Sequence, residues 1–207
     1  METAVKICGI TRVEDALAAA RAGAHAIGLV FYPPSPRYVT PSKAAEIIRA
    51  LPPFVTAVGL FVDASADDVR SALAAAPLQL LQFHGSEQPA FCRQFARPYM
   101  KTVRMKAGVD LLQYAENFHD ARALLLDSHV EGLHGGSGAV FDWTLIPSGL
   151  PLPVVLSGGL TVENVAEAVR KVRPAAVDVS SGVESAKGIK DARKIAAFIK
   201  EVRSAGV

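Results

Sequence analysis

The sequence predicts an α/β fold, a single-domain (β/α)₈ (TIM) barrel in which eight parallel strands alternate with helices. Eight short runs of β-forming apolar residues recur along the chain, and amphipathic helical patterns lie between most of them. The runs are almost continuously apolar, as expected for parallel strands that are covered on both faces. Eight units in 207 residues leave about 26 residues each, and the lower size limit of this fold is about 200 residues.

The first two units begin with the runs 5–10 and 26–31. The helical pattern VEDALAAARAG follows the first run, and Gly23 is a natural end for that helix. A proline-rich loop and the pattern PSKAAEIIRAL follow the second run. An open doubly wound sheet is the alternative fold, but it would need a glycine fingerprint at the first turn, where this chain has KICGIT.

The third to fifth units begin with the runs 56–62, 80–85 and 100–105. Ser65 precedes ADDVRSALAAA and is a plausible N-cap for that helix. The pattern EQPAFCRQFA predicts a further helix after the fourth run.

The last three units begin with the runs 123–128, 153–159 and 175–182. A long glycine-rich loop follows the sixth run, and we expect a short helix to start near Asp142. TVENVAEAVRKV and the closing DARKIAAFIKEVRSA predict the last two helices. We therefore expect residues 1–207 to form one barrel domain.

Composition excludes several classes of function. The 22 basic and 20 acidic residues are dispersed along the chain, so no basic stripe predicts a nucleic-acid partner. The N-terminus lacks the features of a signal peptide, and no apolar run approaches the roughly 20 residues of a membrane span. The two cysteines, Cys8 and Cys92, are expected to be free thiols. These observations predict a soluble cytoplasmic protein without nucleic-acid or membrane partners.

The turns after strands seven and eight predict a phosphate site. LSGGLT contains Gly158 and Gly159, and VDVSSGVE contains Ser180, Ser181 and Gly182. In a barrel the phosphate site is usually formed by these two turns. Glycines allow close approach of the backbone, and free N–H groups and hydroxyls bind the anion.

Two strand ends carry groups suited to acid–base chemistry. Asp127 ends a buried strand, where desolvation tends to raise the pKa of a carboxyl and suits it to general-acid work; a helix cap or structural ion pair is the alternative. Cys8 ends the first strand, where a thiol can act as thiolate nucleophile or base; a small hydrophobe is the alternative.

Three further polar residues are expected to contact a substrate. Arg37 lies in a proline-stiffened loop, from which its guanidinium could bind a carboxylate through two parallel hydrogen bonds, although a solvated arginine is the alternative. His84 and Asp178 lie at or near the ends of strands four and eight. No HxxxH spacing or carboxylate cluster predicts a metal, and no cofactor is expected.

With these residues in place, the chain closely resembles the phosphoribosylanthranilate isomerase family. The motifs KICGIT, GLVFYPPSPRYV, LQFHG, LLLDS, GGSGAVFDW, LSGGLTVENV and VDVSSGVE lie in the family's order and spacing. The resemblance implies a ribulose-phosphate-binding type of barrel that catalyses an Amadori rearrangement without a cofactor in tryptophan biosynthesis. The substrate would be a phosphorylated sugar, and the protein would be a monomer or homodimer.

The resemblance also implies roles for single residues. Cys8 would be the general base, Asp127 the general acid, and Arg37 the contact for the anthranilate carboxylate, while the two glycine turns would hold the phosphate. Many relatives place a polar or charged residue after GGSG, where this chain has Ala139, so the loop 135–139 is assigned no ligand contact.

Two other functions stay open at the level of sequence. Another sugar-phosphate barrel, of the indole-glycerol-phosphate synthase or histidine-pathway isomerase type, would be expected to carry Lys or Asp where this chain has Cys8. A catalytically silent barrel that binds phosphorylated metabolites would need the glycine turns but not Cys8 or Asp127.

Overall fold

Eight parallel strands close into a barrel in the computed structural model, which describes residues 2–128 and 140–205. Each strand pairs with its neighbours in sequence, and β1 closes the barrel against β8. The strands are β1 Ala4–Cys8, β2 Ala26–Val30, β3 Thr56–Phe61, β4 Leu80–Phe83, β5 Tyr99–Met105, β6 Ala123–Ser128, β7 Val154–Leu156 and β8 Ala176–Val179. The predicted barrel is confirmed.

Helices connect the strands around the outside of the barrel. They are α1 Val13–Ala22, α2 Pro41–Arg49, α3 Ala66–Ala75, α4 Pro89–Arg93, α5 Leu111–Asn117, α6 Val165–Val172 and α7 Ala192–Ala205. Two caps follow the sequence prediction. Ser65 accepts a hydrogen bond from the Asp68 N–H at the start of α3, and Gly23 ends α1 in the left-handed conformation with φ of 97°.

Successive residues of each strand alternate between the barrel interior and the layer beneath the helices. Phe61 illustrates the outer layer, since its ring stacks on Phe31 with centroids 5.1 Å apart. Inside the barrel, Val58, Met100, Leu125 and Val155 pack together as an apolar layer. Cys8, His84 and Asp127 share the inward parity of their strands, so they lie above this layer at the carboxyl ends of the strands.

The structure differs from the sequence prediction in several places. Strands β7 and β8 are shorter than the predicted 153–159 and 175–182, because the chain turns at SGG and SSG where their pairing with neighbouring strands ends. The predicted short helix near Asp142 is a single 3₁₀ turn, Trp143–Leu145, capped by Asp142. An unpredicted hairpin follows β8 and consists of β9 Glu184–Ala186 and β10 Ile189–Lys190.

The predicted loop 135–139 lies outside the described residues. Within the described ranges, no helix is both long and apolar enough to cross a membrane.

Candidate active site

A cavity at the carboxyl ends of the strands contains nearly all of the predicted site residues. Its empty volume is about 670 Å³, including the open mouth, which is within the range of small-molecule sites. Cys8, Arg37, His84, Asp127, Asp178, Gly158, Gly159, Ser180 and Ser181 line it. Gly182 lies behind the second turn, where a Cβ would overlap the carbonyl oxygen of Leu160. The topology thus brings together residues from β1, β4, β6, β7 and β8.

Cys8 lies at the tip of β1 beside a buried cation. A Cβ placed on Gly28 of β2 would lie 2.6 Å from the Cys8 sulfur and 3.2 Å from Lys6 Cε, so the thiol and the lysine stem share the space beside this glycine. Burial raises the pKa of the Cys8 thiol above its ordinary value, and the positive charge of Lys6 opposes the rise. The thiol is therefore held mainly neutral, with a cation placed to favour its ionisation.

Lys6 is held in this position by Asp178. Its ammonium donates to Asp178 Oδ1 at 2.8 Å, and both side chains are buried. Burial disfavours the ammonium, but Asp178 and Cys8 together outweigh burial and raise the pKa of Lys6. The Ser157 hydroxyl lies 3.3 Å from the other Asp178 oxygen. Asp178 therefore lines the cavity, and its carboxylate also fixes the cation next to Cys8.

Asp127 ends the inward row of β6 and is only 4% exposed. Its Oδ1 accepts from the Ser128 N–H at 3.0 Å. Its Oδ2 lies 3.1 Å from His84 Nε2, although the ring N–H direction is too far off that line for a hydrogen bond. Poor alignment of this kind is common in sites without substrate. The carboxyl group is thus anchored by one oxygen and placed beside an imidazole by the other.

Arg37 reaches the cavity from the loop after β2, but its guanidinium is already paired. Nε and Nη2 donate to the two carboxylate oxygens of Glu184 at 2.7 and 2.8 Å. These hydrogen bonds use one edge of the planar guanidinium and leave Nη1 and the second hydrogen of Nη2 available for a ligand. Sequence reasoning expected the guanidinium of Arg37 to be free to bind a ligand carboxylate. In the structure, two of its donors are already bound to the carboxylate of Glu184.

Lys190 joins this ion pair to the second glycine turn. Its ammonium donates to Glu184 Oε1 at 2.8 Å and to the backbone oxygen of Ser180 at 3.1 Å. Burial opposes the ionisation of Glu184, but hydrogen bonds from Arg37 and the charge of Lys190 outweigh it, so the pKa of Glu184 is lowered. The pKa of Lys190 is lowered, chiefly by burial. The β9–β10 hairpin therefore connects Arg37 to the Ser180 turn.

The two turns are built to approach an anion closely. Gly158 and Gly159 have φ of 83° and 64°, a region that favours glycine. A Cβ on Gly158 would collide with the Ser128 backbone nitrogen. Within residues 2–128 and 140–205, the N–H groups of Gly159, Ser181 and Gly182 donate to no protein acceptor. Their hydrogen-bonding capacity is available to a ligand.

Sequence reasoning missed four polar residues of this region: Lys6, Gln82, Glu184 and Lys190. A signal was present for Lys6, because a lysine two positions before Cys8 in an apolar strand shares the inward face of that strand. Glu184 and Lys190 gave no comparable signal, since the hairpin that carries them was not predicted. Within the described ranges, no three His, Cys, Asp or Glu side chains come together as a metal-binding group.

Comparisons with known proteins agree on one family. The model of the N-(5'-phosphoribosyl)anthranilate (PRA) isomerase family matches residues 5–201. The N-(5'-phosphoribosyl)anthranilate isomerase of Dechloromonas aromatica is 61% identical, and the match covers 99% of this chain and 98% of that protein.

Solved structures give the same result. The phosphoribosyl anthranilate isomerase of Thermotoga maritima superposes with a TM-score of 0.89 at 41% identity, covering 98% of this chain and 99% of that one. A second structure, of a phosphoribosyl anthranilate isomerase in complex with reduced 1-(o-carboxyphenylamino)-1-deoxyribulose 5-phosphate, has a TM-score of 0.85 at 41% identity, with 98% and 99% of the two chains covered.

Proposed function

The chain belongs to the N-(5'-phosphoribosyl)anthranilate isomerase family, and we propose that it performs the family's Amadori rearrangement with Cys8 as general base and Asp127 as general acid. The reaction converts N-(5'-phosphoribosyl)anthranilate to 1-(2-carboxyphenylamino)-1-deoxyribulose 5-phosphate in tryptophan biosynthesis. The observation that supports the assignment of roles is that one cavity is lined by a thiol, a carboxyl group, an arginine and two glycine- and serine-rich turns.

The two charged ends of the substrate fix its position. The phosphate would accept hydrogen bonds from the free N–H groups of Gly159, Ser181 and Gly182, with Gly158 and Ser180 completing the two turns. The anthranilate carboxylate would meet the Arg37 donors that Glu184 leaves open. His84 and Asp178 line the cavity between these ends and would contact the sugar. Holding both ends converts proton transfer into a step between positioned groups.

The chemistry then needs two proton transfers at different atoms. Asp127 gives a proton to the ribose ring oxygen, so the ring opens and the anilino nitrogen forms a double bond to C1. The Cys8 thiolate removes the proton on C2, which the Schiff base has acidified, and an enaminol forms. Addition of a proton at C1 and loss of the 2-hydroxyl proton give the ketone. Protons balance over the cycle, and no oxidant is needed.

Loss of fluorescence from freshly made phosphoribosylanthranilate measures this activity directly. Cys8→Ala and Asp127→Asn should each lower kcat/KM by at least about 10²-fold, the low end for a positioned acid or base. Cys92→Ala is the matched control, because Cys92 is a buried thiol on α4 with a pKa raised to about 12 by burial. Absence of turnover by the wild-type protein would refute the proposed function.

Substrate deuterated at C2 separates the two roles. A variant slowed at C2 deprotonation, such as Cys8→Ser, should show a clear isotope effect on its residual rate, whereas Asp127→Asn, slowed at ring opening, should not. Near-normal activity of Cys8→Ala or Cys8→Ser, in protein shown to be folded by circular dichroism, would overturn the assignment of the base.

A further inference from the structure

A row of buried polar side chains leads from Asp127 into the barrel. His84 Nε2 lies 3.1 Å from Asp127 Oδ2, and His84 Nδ1 lies 3.2 Å from Gln82 Nε2. The same Gln82 nitrogen lies 3.3 Å from the Thr102 hydroxyl. All four side chains are buried, and Gln82 has no exposed surface. The carboxyl group assigned as general acid is therefore connected through an imidazole to a buried amide.

The amide has two arrangements of similar shape. As it stands, both Gln82 N–H bonds have acceptors, while its Oε1 and the His84 Nε2 are buried without a hydrogen-bond partner among the described residues. Turning the amide by 180° exchanges oxygen and nitrogen without changing its shape. The oxygen could then accept from the Thr102 hydroxyl and from a proton on His84 Nδ1. One amide atom lacks a partner in each arrangement.

Each arrangement fixes a different tautomer of His84. When Gln82 donates to Nδ1, that nitrogen carries a lone pair and the proton of the neutral ring is on Nε2, 3.1 Å from Asp127 Oδ2 but not yet aligned with it. Alignment in the substrate complex would complete this hydrogen bond, which Oδ2 accepts as a carboxylate oxygen. When the amide is turned, the proton is on Nδ1, and the Nε2 lone pair can accept from a protonated Oδ2. The second state holds one more proton than the first.

We propose that Gln82 is a positioning residue for the isomerisation, because its amide orientation sets the His84 tautomer and thereby the form of the Asp127 carboxyl group that the site accommodates. The role of Gln82 rests on the proposed function of Asp127 as general acid. Asp127 delivers its proton to the substrate ring oxygen and is left as the carboxylate. Release of the C2 proton from Cys8 to solvent and uptake of one proton from solvent by the His84–Asp127 pair restore the base and the acid.

Nitrogen NMR of protein labelled with ¹⁵N-histidine reads the tautomer without reference to activity. The chain has five histidines, and loss of signals in His84→Asn assigns those of His84. In the wild-type protein without substrate, the proton should be on Nε2. In Gln82→Glu, which keeps the shape but can only accept, Nδ1 should gain a proton. In Gln82→Met, which has no hydrogen-bonding group, His84 should become a mixture of tautomers.

Kinetics supply the second measurement. Gln82→Met should lower kcat up to about tenfold, the scale of one hydrogen bond between neutral groups, while KM stays unchanged. Thr102→Ser is the control, because it changes the side chain beside Gln82 but keeps the hydroxyl partner of the amide and should leave the His84 tautomer as it is. If Gln82→Met does not fold, the His84 tautomer in the isosteric variant Gln82→Glu, compared with the wild type, tests the proposal by itself.

Three results are decisive. The same His84 tautomer in the wild type, Gln82→Glu and Gln82→Met would overturn the proposal. A rise in KM with unchanged kcat in Gln82→Met would also overturn it, because Gln82 would then act on binding. If the tautomer shifts as expected but the wild type does not turn over phosphoribosylanthranilate, the proposed function fails and the assignment of the His84 tautomer stands.

Discussion

As the proposed general base, Cys8 would have to lose a proton in a place that disfavours its ionisation. Burial raises the pKa of the thiol, and Lys6 partly offsets this effect. At neutral pH the base is thus a minor thiolate fraction, and that fraction grows about tenfold with each pH unit below the thiol pKa. Lys6 is the group that decides how large the fraction is.

Replacing Lys6 tests this account. In the wild type, kcat/KM should rise with pH above neutrality as the thiolate forms. Lys6→Met should move this rise to higher pH, because loss of the cation raises the pKa of Cys8 further. The pH dependence of kcat/KM in both proteins measures the shift.

Lys101→Met is the matched control. Lys101 is also buried and pairs with a buried carboxylate, that of Glu87, at 2.9 Å, so both variants leave one buried acid without its partner. Loss of one member of a buried pair costs about 3–5 kcal/mol. An identical pH profile for wild type and Lys6→Met would show that Lys6 does not act on Cys8.

The positions of single site residues could be predicted from the sequence better than the ion pairs that these residues form. Cys8 and Asp127 could be predicted to lie at the mouth, because each ends an apolar strand. The Lys6–Asp178 pair could not, because closure of β1 against β8 joins residues 172 positions apart. The same holds for Arg37 and Glu184, which are separated by 147 positions.

Among the elements, the β9–β10 hairpin has the clearest link to the site. It supplies Glu184 to Arg37 and Lys190 to Ser180. The turn of the hairpin is held at the first barrel loop by the Thr11 hydroxyl, which donates to the Gly188 carbonyl at 2.6 Å. The hairpin thereby keeps Arg37 in one orientation before any substrate carboxylate arrives.

Glu184→Gln should raise KM for phosphoribosylanthranilate about tenfold and change kcat less. The amide cannot accept two hydrogen bonds from the guanidinium, so Arg37 must be ordered when substrate binds, at a cost comparable to one hydrogen bond to a charged group. Steady-state kinetics with the wild type and the variant measure both constants.

Glu87→Gln provides the comparison, because it also removes the acid of a buried ion pair. It should lower Tm to a similar extent while KM stays near the wild-type value. Equal KM values in wild type and Glu184→Gln would show that Arg37 needs no support from Glu184.

Element identity could be read from the sequence more securely than element ends. Mainly apolar runs mark all eight barrel strands, because both faces of each strand are covered, although β5 also contains Lys101, Thr102 and Arg104. The end of β7 was misplaced by the apparent continuation into SGG, and the hairpin was missed because β9 and β10 have three and two residues. Strands of two or three residues are too short to show an alternating pattern of apolar and polar residues.

For the whole molecule, the two turns proposed to bind phosphate follow consecutive strands, β7 and β8, next to the closure of the barrel, where β8 pairs with β1. A ligand bound there should stabilise the folded chain, since it binds only when both turns are in place. Inorganic phosphate at a hundredfold excess over its Kd should add about 2.7 kcal/mol, or about 5–10 °C in Tm for a chain of this size. Thermal melts with and without phosphate measure the effect.

Gly159→Asp should abolish this gain, because its carboxylate would compete for the same N–H donors and repel the anion. Gly149→Asp is the control. Gly149 also has a positive φ, 81°, but its Cβ would enter open space and it does not line the active-site cavity. Both variants place an aspartate at a positive φ, but only the first should lose the response to phosphate. An unchanged response in Gly159→Asp would place the phosphate elsewhere.

The glycines beside the functional atoms have an evolutionary consequence. A Cβ on Gly28 would press on the Cys8 sulfur, and one on Gly9 would collide with Arg37 Cδ and lie 3.0 Å from the Ser180 hydroxyl. The absence of side chains at Gly28 and Gly9 therefore leaves the space that the functional side chains occupy. Because every amino-acid substitution of a glycine adds side-chain atoms, substitutions at these positions can only shrink the site. A lineage exploring new substrates is therefore freer to change its polar contacts than these glycines.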